Sequence, residues 1–271
     1  IFQRPVISFG FIIGHSSQNL EKSLLSPIFL TLISLIGLSG GAIGQGNDPG
    51  VYFNDPKVTK LCRATISGNV RVIDELVDAG VDVNARGKDG MTPLLFSLVG
   101  TNKRGLRRLM EHGADPNLQM DNWKSFIFYA AKADDPEFLR MALENGGNPN
   151  LRGPRQKTPL FEAAVENNDN VEVQLELLLE HGADLNALTD PRGAHENAAM
   201  AAAGINQYEP ALYLLRKGID PSHKNRWGYT IAYPLEENVI GYVPGREGYD
   251  ARTKVAKFLI DQGMKVNLKR P

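Results

Sequence analysis

Gly80-Val81-Asp82-Val83-Asn84 is the stretch that decides the fold, because the same phrase returns along the chain. It recurs as Gly113-Ala114-Asp115-Pro116-Asn117, Gly146-Gly147-Asn148-Pro149-Asn150 and Gly182-Ala183-Asp184-Leu185-Asn186. Two weaker copies follow, Gly218-Ile219-Asp220-Pro221-Ser222 and Gly263-Met264-Lys265-Val266-Asn267. Successive glycines lie 33, 33, 36, 36 and 45 residues apart, a fixed period with later insertions. Such a period marks a repeat architecture in which each unit stacks on its neighbours.

A second phrase keeps step with the first. Thr92-Pro93-Leu94 and Thr158-Pro159-Leu160 each begin 12 residues after a repeat glycine. Ser125-Phe126-Ile127 and Thr230-Ile231-Ala232 stand at the equivalent places, and Asn197-Ala198-Ala199 fits after a three-residue insertion. A Thr or Ser oxygen suits a helix N-cap, and Pro suits the first helical position, where no backbone donor is required. The repeat glycines suit the left-handed residue that ends a helix. Apolar pairs such as Val72-Ile73 with Leu76-Val77 lie at helical spacing.

These two phrases together resemble the ankyrin-repeat family over about residues 58–268. The resemblance implies an all-α ankyrin-repeat solenoid of about six helix-turn-helix units joined by β-hairpin-like fingers. The units are placed at about 58–88, 89–121, 122–154, 155–190, 191–226 and 227–271, with 45–57 as a short extended lead-in. The first unit lacks the Thr-Pro start, and its Asn69, Arg71, Asp74 and Glu75 suit a soluble N-terminal cap. Lys265, Lys269 and Arg270 suit a C-terminal cap.

Residues 1–44 read differently. From Ser23 to Gly46 there is no charged residue, Leu24–Leu38 is dominated by Leu and Ile, Lys22 precedes the run, and Ser39-Gly40-Gly41-Ala42-Ile43-Gly44 follows it. This matches the basic, apolar and small-residue regions of a secretory signal, with cleavage expected after Gly44. The alternative is an uncleaved inner-membrane anchor facing the periplasm, but the apolar run falls short of the roughly 20 residues needed to span a bilayer. Because no Met precedes Met91, the N-terminus as given reads as a fragment or as a translation from an incorrect start, with residues 1–22 then a mis-translated upstream segment. The expected location is the periplasm. The lone Cys62 cannot form an internal disulfide, so packing alone must stabilise the fold.

The net charge of −1 gives no general attraction to nucleic acid or anionic lipid. No Gly-x-Ser-x-Gly, His-Glu-x-x-His, Cys-x-x-Cys or phosphate-binding Gly-rich loop is present, and no catalytic residue, metal ligand or cofactor is expected. His112 and His181 precede repeat glycines, and His195 and His223 read as isolated. The basic run Lys103–Arg108 and the acidic stripe Glu172, Glu176, Glu180 read as solvated helix faces.

Ankyrin-like proteins bind other proteins on the concave side lined by finger tips. Trp123 and Trp227 fall at such tips, where packing on the adjacent finger competes with partner contact as the reason for a Trp. Tyr129 and Arg155 are further candidates. In unit six, residues 236–252 carry an insertion of 12 residues, read as a loop, that holds Tyr242, Arg246 and Tyr249, residue types enriched at interface hot spots. The expected partner is another protein, most concretely a toxic secreted effector such as a type VI lipase that this chain neutralises as an immunity protein. The alternative is a periplasmic scaffold or adaptor for a stress-response or membrane-associated enzyme.

Overall fold

The computed structural model describes residues 48–237 and 247–268, without the side chains of 247–249. Within them twelve α-helices form six antiparallel pairs, and no strand is present among the described residues. The pairs are α1 (Pro56–Ser67) with α2 (Val70–Asp78), α3 (Phe96–Val99) with α4 (Lys103–Glu111), and α5 (Phe126–Ala130) with α6 (Glu137–Glu144). Then come α7 (Pro159–Ala164) with α8 (Val171–Glu180), α9 (Ala198–Gly204) with α10 (Tyr208–Arg216), and α11 (Ala232–Glu237) with α12 (Glu247–Asp261). This is an all-α ankyrin-repeat solenoid.

The helix stops work as the glycines imply. All six repeat glycines have φ between 81° and 97°. The residue after each returns a hydrogen bond to a carbonyl one turn back, as in Val81 N to Leu76 O (3.0 Å) and Ala183 N to Leu178 O (2.9 Å). That closure satisfies carbonyls the helix end would otherwise leave without donors.

The helix starts are less uniform than the sequence suggests. Thr158 Oγ1 accepts from Phe161 N at 3.2 Å, and Asn197 Oδ1 accepts from Met200 N at 3.0 Å. Thr92 and Ser125 hold the extended cap backbone without a side-chain bond, and Ser125 Oγ is buried without a partner. The first unit does have an equivalent start: Asp55 Oδ1 accepts from Lys57 N at 2.7 Å, and Pro56 takes the first helical position. An Asp can cap as well as a Thr, which is why a search for Thr-Pro passes over it.

The lead-in packs from Asp48 onward instead of running extended. A short 3-10 turn at Pro49–Val51 delivers Tyr52 and Phe53 onto Phe96, with ring centroids 5.9 Å and 6.2 Å away. Both rings are buried and close the N-terminal end of the core. Along the stack, first helices meet through Ala130, Ala131, Ala163, Ala164, Ala202 and Ala203, all without solvent exposure.

In the last unit α12 begins at Glu247, so the part of the insertion from Glu247 onward is helix rather than loop. Arg252 is fully buried, and its Nε donates to Leu235 O at 2.9 Å, tying α12 to α11. Tyr242 and Arg246 lie outside the described residues, as does the side chain of Tyr249, whose backbone is in α12. Residues 1–44, read from sequence as a signal segment, also lie outside them.

Adjacent repeats are joined by the asparagine that ends the repeat phrase. Asn117 Nδ2 donates to Gly146 O at 2.9 Å, while its Oδ1 accepts from Asn148 N at 2.7 Å. Asn84 bridges to Gly113 O (3.0 Å) and Asp115 N (2.9 Å) in the same way, and Asn150 to Gly182 O (2.8 Å) and Asp184 N (2.7 Å). The residue two before each asparagine holds it in place, as when Asp115 Oδ1 accepts from Asn117 N at 2.8 Å.

Second helices are joined by charge. Asp74 of α2 receives Arg108 Nε at 2.5 Å and lies 2.8 Å from His112 Nε2, both at the end of α4. Arg108, then His112, hold the Asp74 carboxyl below the usual aspartate range. Two predictions follow from these joints. Asn117→Ala removes two hydrogen bonds and is expected to cost about 1–3 kcal/mol in urea denaturation. A depressed carboxyl stabilises the fold above its unfolded pKa and ceases to as pH falls through the folded value. The stability gap between wild type and Asp74→Asn is therefore expected to be constant from pH 7 to about 5 and to close below about pH 4. A gap that does not shrink between about pH 5 and about pH 2 would refute the assignment.

Candidate functional site

Every finger is closed by one backbone hydrogen bond: Gly87 N to Met91 O (2.8 Å), Met120 N to Lys124 O (2.7 Å), Gly153 N to Lys157 O (2.9 Å), Thr189 N to Glu196 O (3.0 Å) and Asn225 N to Tyr229 O (2.9 Å). So tight a closure forces the residue before the acceptor into the left-handed region. Gly90 and Gly228 occupy that place with φ of 74° and 81°, while Trp123, Gln156 and His195 hold it in the other three fingers with φ of 64°, 59° and 54°. A left-handed conformation costs a non-glycine residue roughly 1–2 kcal/mol. A bulky side chain there calls for a compensating role.

Packing does not supply that role. The Trp123 residue is 66% exposed and Trp227, one residue before the matching glycine, is 61% exposed. Both tip tryptophans are therefore largely exposed. Arg155 is exposed at the third tip with φ of 56°, and its carbonyl accepts from Asp190 N at 2.8 Å.

Tyr129 is different and corrects the sequence-based expectation. It is only 3% exposed, lying in α5 with Asn122 Nδ2 at 3.4 Å from its hydroxyl and Lys124 Nζ 5.9 Å from its ring centroid. It is a core residue of the third repeat. Beside it runs a mixed-charge row: Lys124 meets Glu162 at 3.3 Å, Lys132 lies 3.9 Å from Glu162, and Lys132 meets Glu166 at 2.8 Å. Glu162 and Lys124 are buried, so each removes the cost of leaving the other unpaired.

Two small cavities open farther along, on either side of Glu196. One of about 160 Å³ is lined by Arg155, Lys157, Thr189, Asp190, Gly193, Ala194 and Glu196. The other, of about 180 Å³, lies between α9 and α11 and is walled by Tyr229 and Tyr233, whose rings stack at 3.9 Å and 14°. Burial pushes the Glu196 carboxyl up despite the opposing charge of Lys157, and burial pushes the Lys157 ammonium down. Sequence reading passed over this tyrosine pair, although its four-residue spacing across a finger base and a helix start is visible in the chain.

Other groups turn out to be partnered. His195 and His223, expected to be isolated, face each other with centroids 5.3 Å apart, and His223 Nε2 lies 2.9 Å from His195 O. In the basic run, Lys103 pairs with Asp135 at 2.8 Å and Arg108 with Asp74 and Glu111, leaving Arg104 and Arg107 exposed. In the acidic stripe, Glu176 pairs with Lys217 at 2.5 Å and accepts from the Tyr213 hydroxyl. These charges serve the joints between repeats. Burial raises the Cys62 thiol pKa, as suits an inert core thiol. Among the described residues no cluster of His, Cys, Asp and Glu could hold a metal, and no helix is long and apolar enough to cross a membrane.

The tip tryptophans and Tyr129 should respond oppositely to substitution. Trp123→Gly relieves a left-handed strain and loses little packing, so stability is expected to stay level or rise by up to about 1 kcal/mol. Tyr129→Ala empties a core site and is expected to cost about 3–5 kcal/mol. Chemical denaturation of both variants checks this, and a Trp123→Gly loss above about 1.5 kcal/mol would show the indole to be structural.

A family model described as ankyrin repeats (3 copies) matches residues 127–225. No curated protein matches the chain. The matched segment supplies the helix pairs from α5 to α10, and the same glycine stops and asparagine bridges extend on its N-terminal side through α1–α4. Residues 127–225 are thus ankyrin repeats by sequence, and the six helix pairs from Pro56 to Asp261 form an ankyrin-repeat solenoid.

Proposed function

We propose that this solenoid is a protein-binding module whose finger tips and first helices grip a secreted enzyme, and that it acts in the periplasm as an immunity protein against a toxic effector. The observation that carries the binding reading is Trp123: a left-handed tip position, filled by glycine in two of the five fingers, holds an exposed tryptophan at a cost in backbone energy. A residue that costs stability is retained where it contributes something else, and large exposed aromatics are prime anchors of interfaces. Trp227 is a second exposed tip aromatic three fingers away, without the backbone strain, so a partner spanning both would lie along the row of tips. Export rests on the apolar run and small residues before Gln45, and neutralisation of an enzyme explains why a disulfide-free binding solenoid would be exported.

The test is affinity purification of the C-terminally tagged chain from the periplasm of its source cells, with mass spectrometry of the bound fraction. A stoichiometric secreted enzyme is expected, lost from Trp123→Gly and Trp227→Ala, and inhibited when recombined with wild type. The purified chain is expected to begin at Gln45. Recovery of stress-response or membrane proteins alone would overturn the immunity reading in favour of a scaffold.

A further inference from the structure

The Glu196 carboxylate sits at the junction of two cavities, partly buried, and its side chain makes no hydrogen bond or ion pair within the described residues. Lys157 acts on it only through longer-range attraction, and that ammonium instead lies over the Phe161 ring at 4.5 Å. A half-buried carboxylate left unpaired is unfavourable by itself and is relieved by an incoming cation.

The cavity on the α9–α11 side supplies the rest of a cation site. Tyr229 and Tyr233 wall it with stacked rings, each 36% exposed, and the lining also includes Met200, Asn225, Pro234 and a second carboxylate, Glu237. Aromatic faces beside a carboxylate suit a guanidinium, which can stack on a ring while donating in its own plane; an ammonium has no planar edge to do both. An apolar side chain would bury Glu196 further without pairing it. We infer that this pocket takes one arginine side chain displayed by the protein partner, an inference that rests on the protein-binding reading above.

Two features favour a single arginine on a protein over a free polycation. Arg155 and Lys157 line the adjoining cavity on the far side of Glu196, so a second positive charge extending that way would be repelled. Trp227, exposed two residues before Tyr229, offers apolar surface for the chain that carries the arginine. A polyamine would gain nothing from it.

The experiment is an NMR titration of the full chain, with ring-labelled tyrosine, using N-acetylarginine N-methylamide as probe and its neutral citrulline counterpart as control. Saturable shifts of Tyr229 and Tyr233 are expected with the arginine probe. Binding should be at least about tenfold weaker for the citrulline probe and for Glu196→Gln, the loss expected when a charge-assisted contact is removed. Tyr233→Leu should abolish the response while leaving the thermal transition unchanged. Equal binding of the two probes, no saturable shift at tens of millimolar, or an unaffected Glu196→Gln variant would overturn the site. Tighter binding of spermidine than of the arginine probe would overturn the protein source. None of these outcomes depends on the tip tryptophans, so failure here is distinguishable from failure of the partner capture.

Discussion

The paired hydrogen bonds of Asn84, Asn117 and Asn150 are the constraint on which the stacking of the fingers depends. Each amide uses its donor and its acceptor at once, on a carbonyl and an N–H that belong to the next repeat. Those backbone groups sit just past a helix end, where no helical partner exists, so the bridge satisfies groups that would otherwise depend on water. A repeat cannot slide or rotate against its neighbour without breaking both bonds. The helices behind can then pack through alanines with little side-chain bulk to set their register.

The bridge weakens toward the C-terminus, and the irregular parts of the molecule gather there. Asn186 still accepts from Asp220 N at 2.9 Å, but the next position is Ser222, whose hydroxyl turns back onto its own Asp220 at 2.7 Å. A serine is too short to span to the following repeat. The last unit is held by other means: buried Arg252 donating to Leu235 O, and Glu236 Oε1 accepting from Asn267 N at 2.9 Å. The insertion of unit six and the tyrosine pair of the candidate pocket both belong to this segment, where the repeat no longer dictates every side chain.

Stacking and binding make opposite demands on the fingers. The closing hydrogen bond requires a left-handed residue at each tip, and glycine meets that requirement without strain at positions 90 and 228. At 123, 156 and 195 the chain keeps a tryptophan, a glutamine and a histidine and accepts the backbone cost, and the tryptophan is the bulkiest of them. Meanwhile the charged residues that a sequence reading would offer to a partner, Lys103, Arg108 and Glu176, are engaged in holding one repeat to the next.

The sequence by itself determined the repeat, its period, the glycine that stops each second helix and the fold class, because these depend on local backbone requirements that leave a residue type at a fixed spacing. It also placed Trp123 and Trp227 at finger tips by register alone. Only the tertiary structure decided which side chains are exposed: both tryptophans are largely exposed while Tyr129, an equally plausible aromatic by spacing, is core. Only it showed His195 against His223, and Glu196 beside Tyr229 and Tyr233. The reason is that these relations join residues one repeat apart or residues across a finger. Their contact follows from how the repeats stack, and no local pattern in the chain records it.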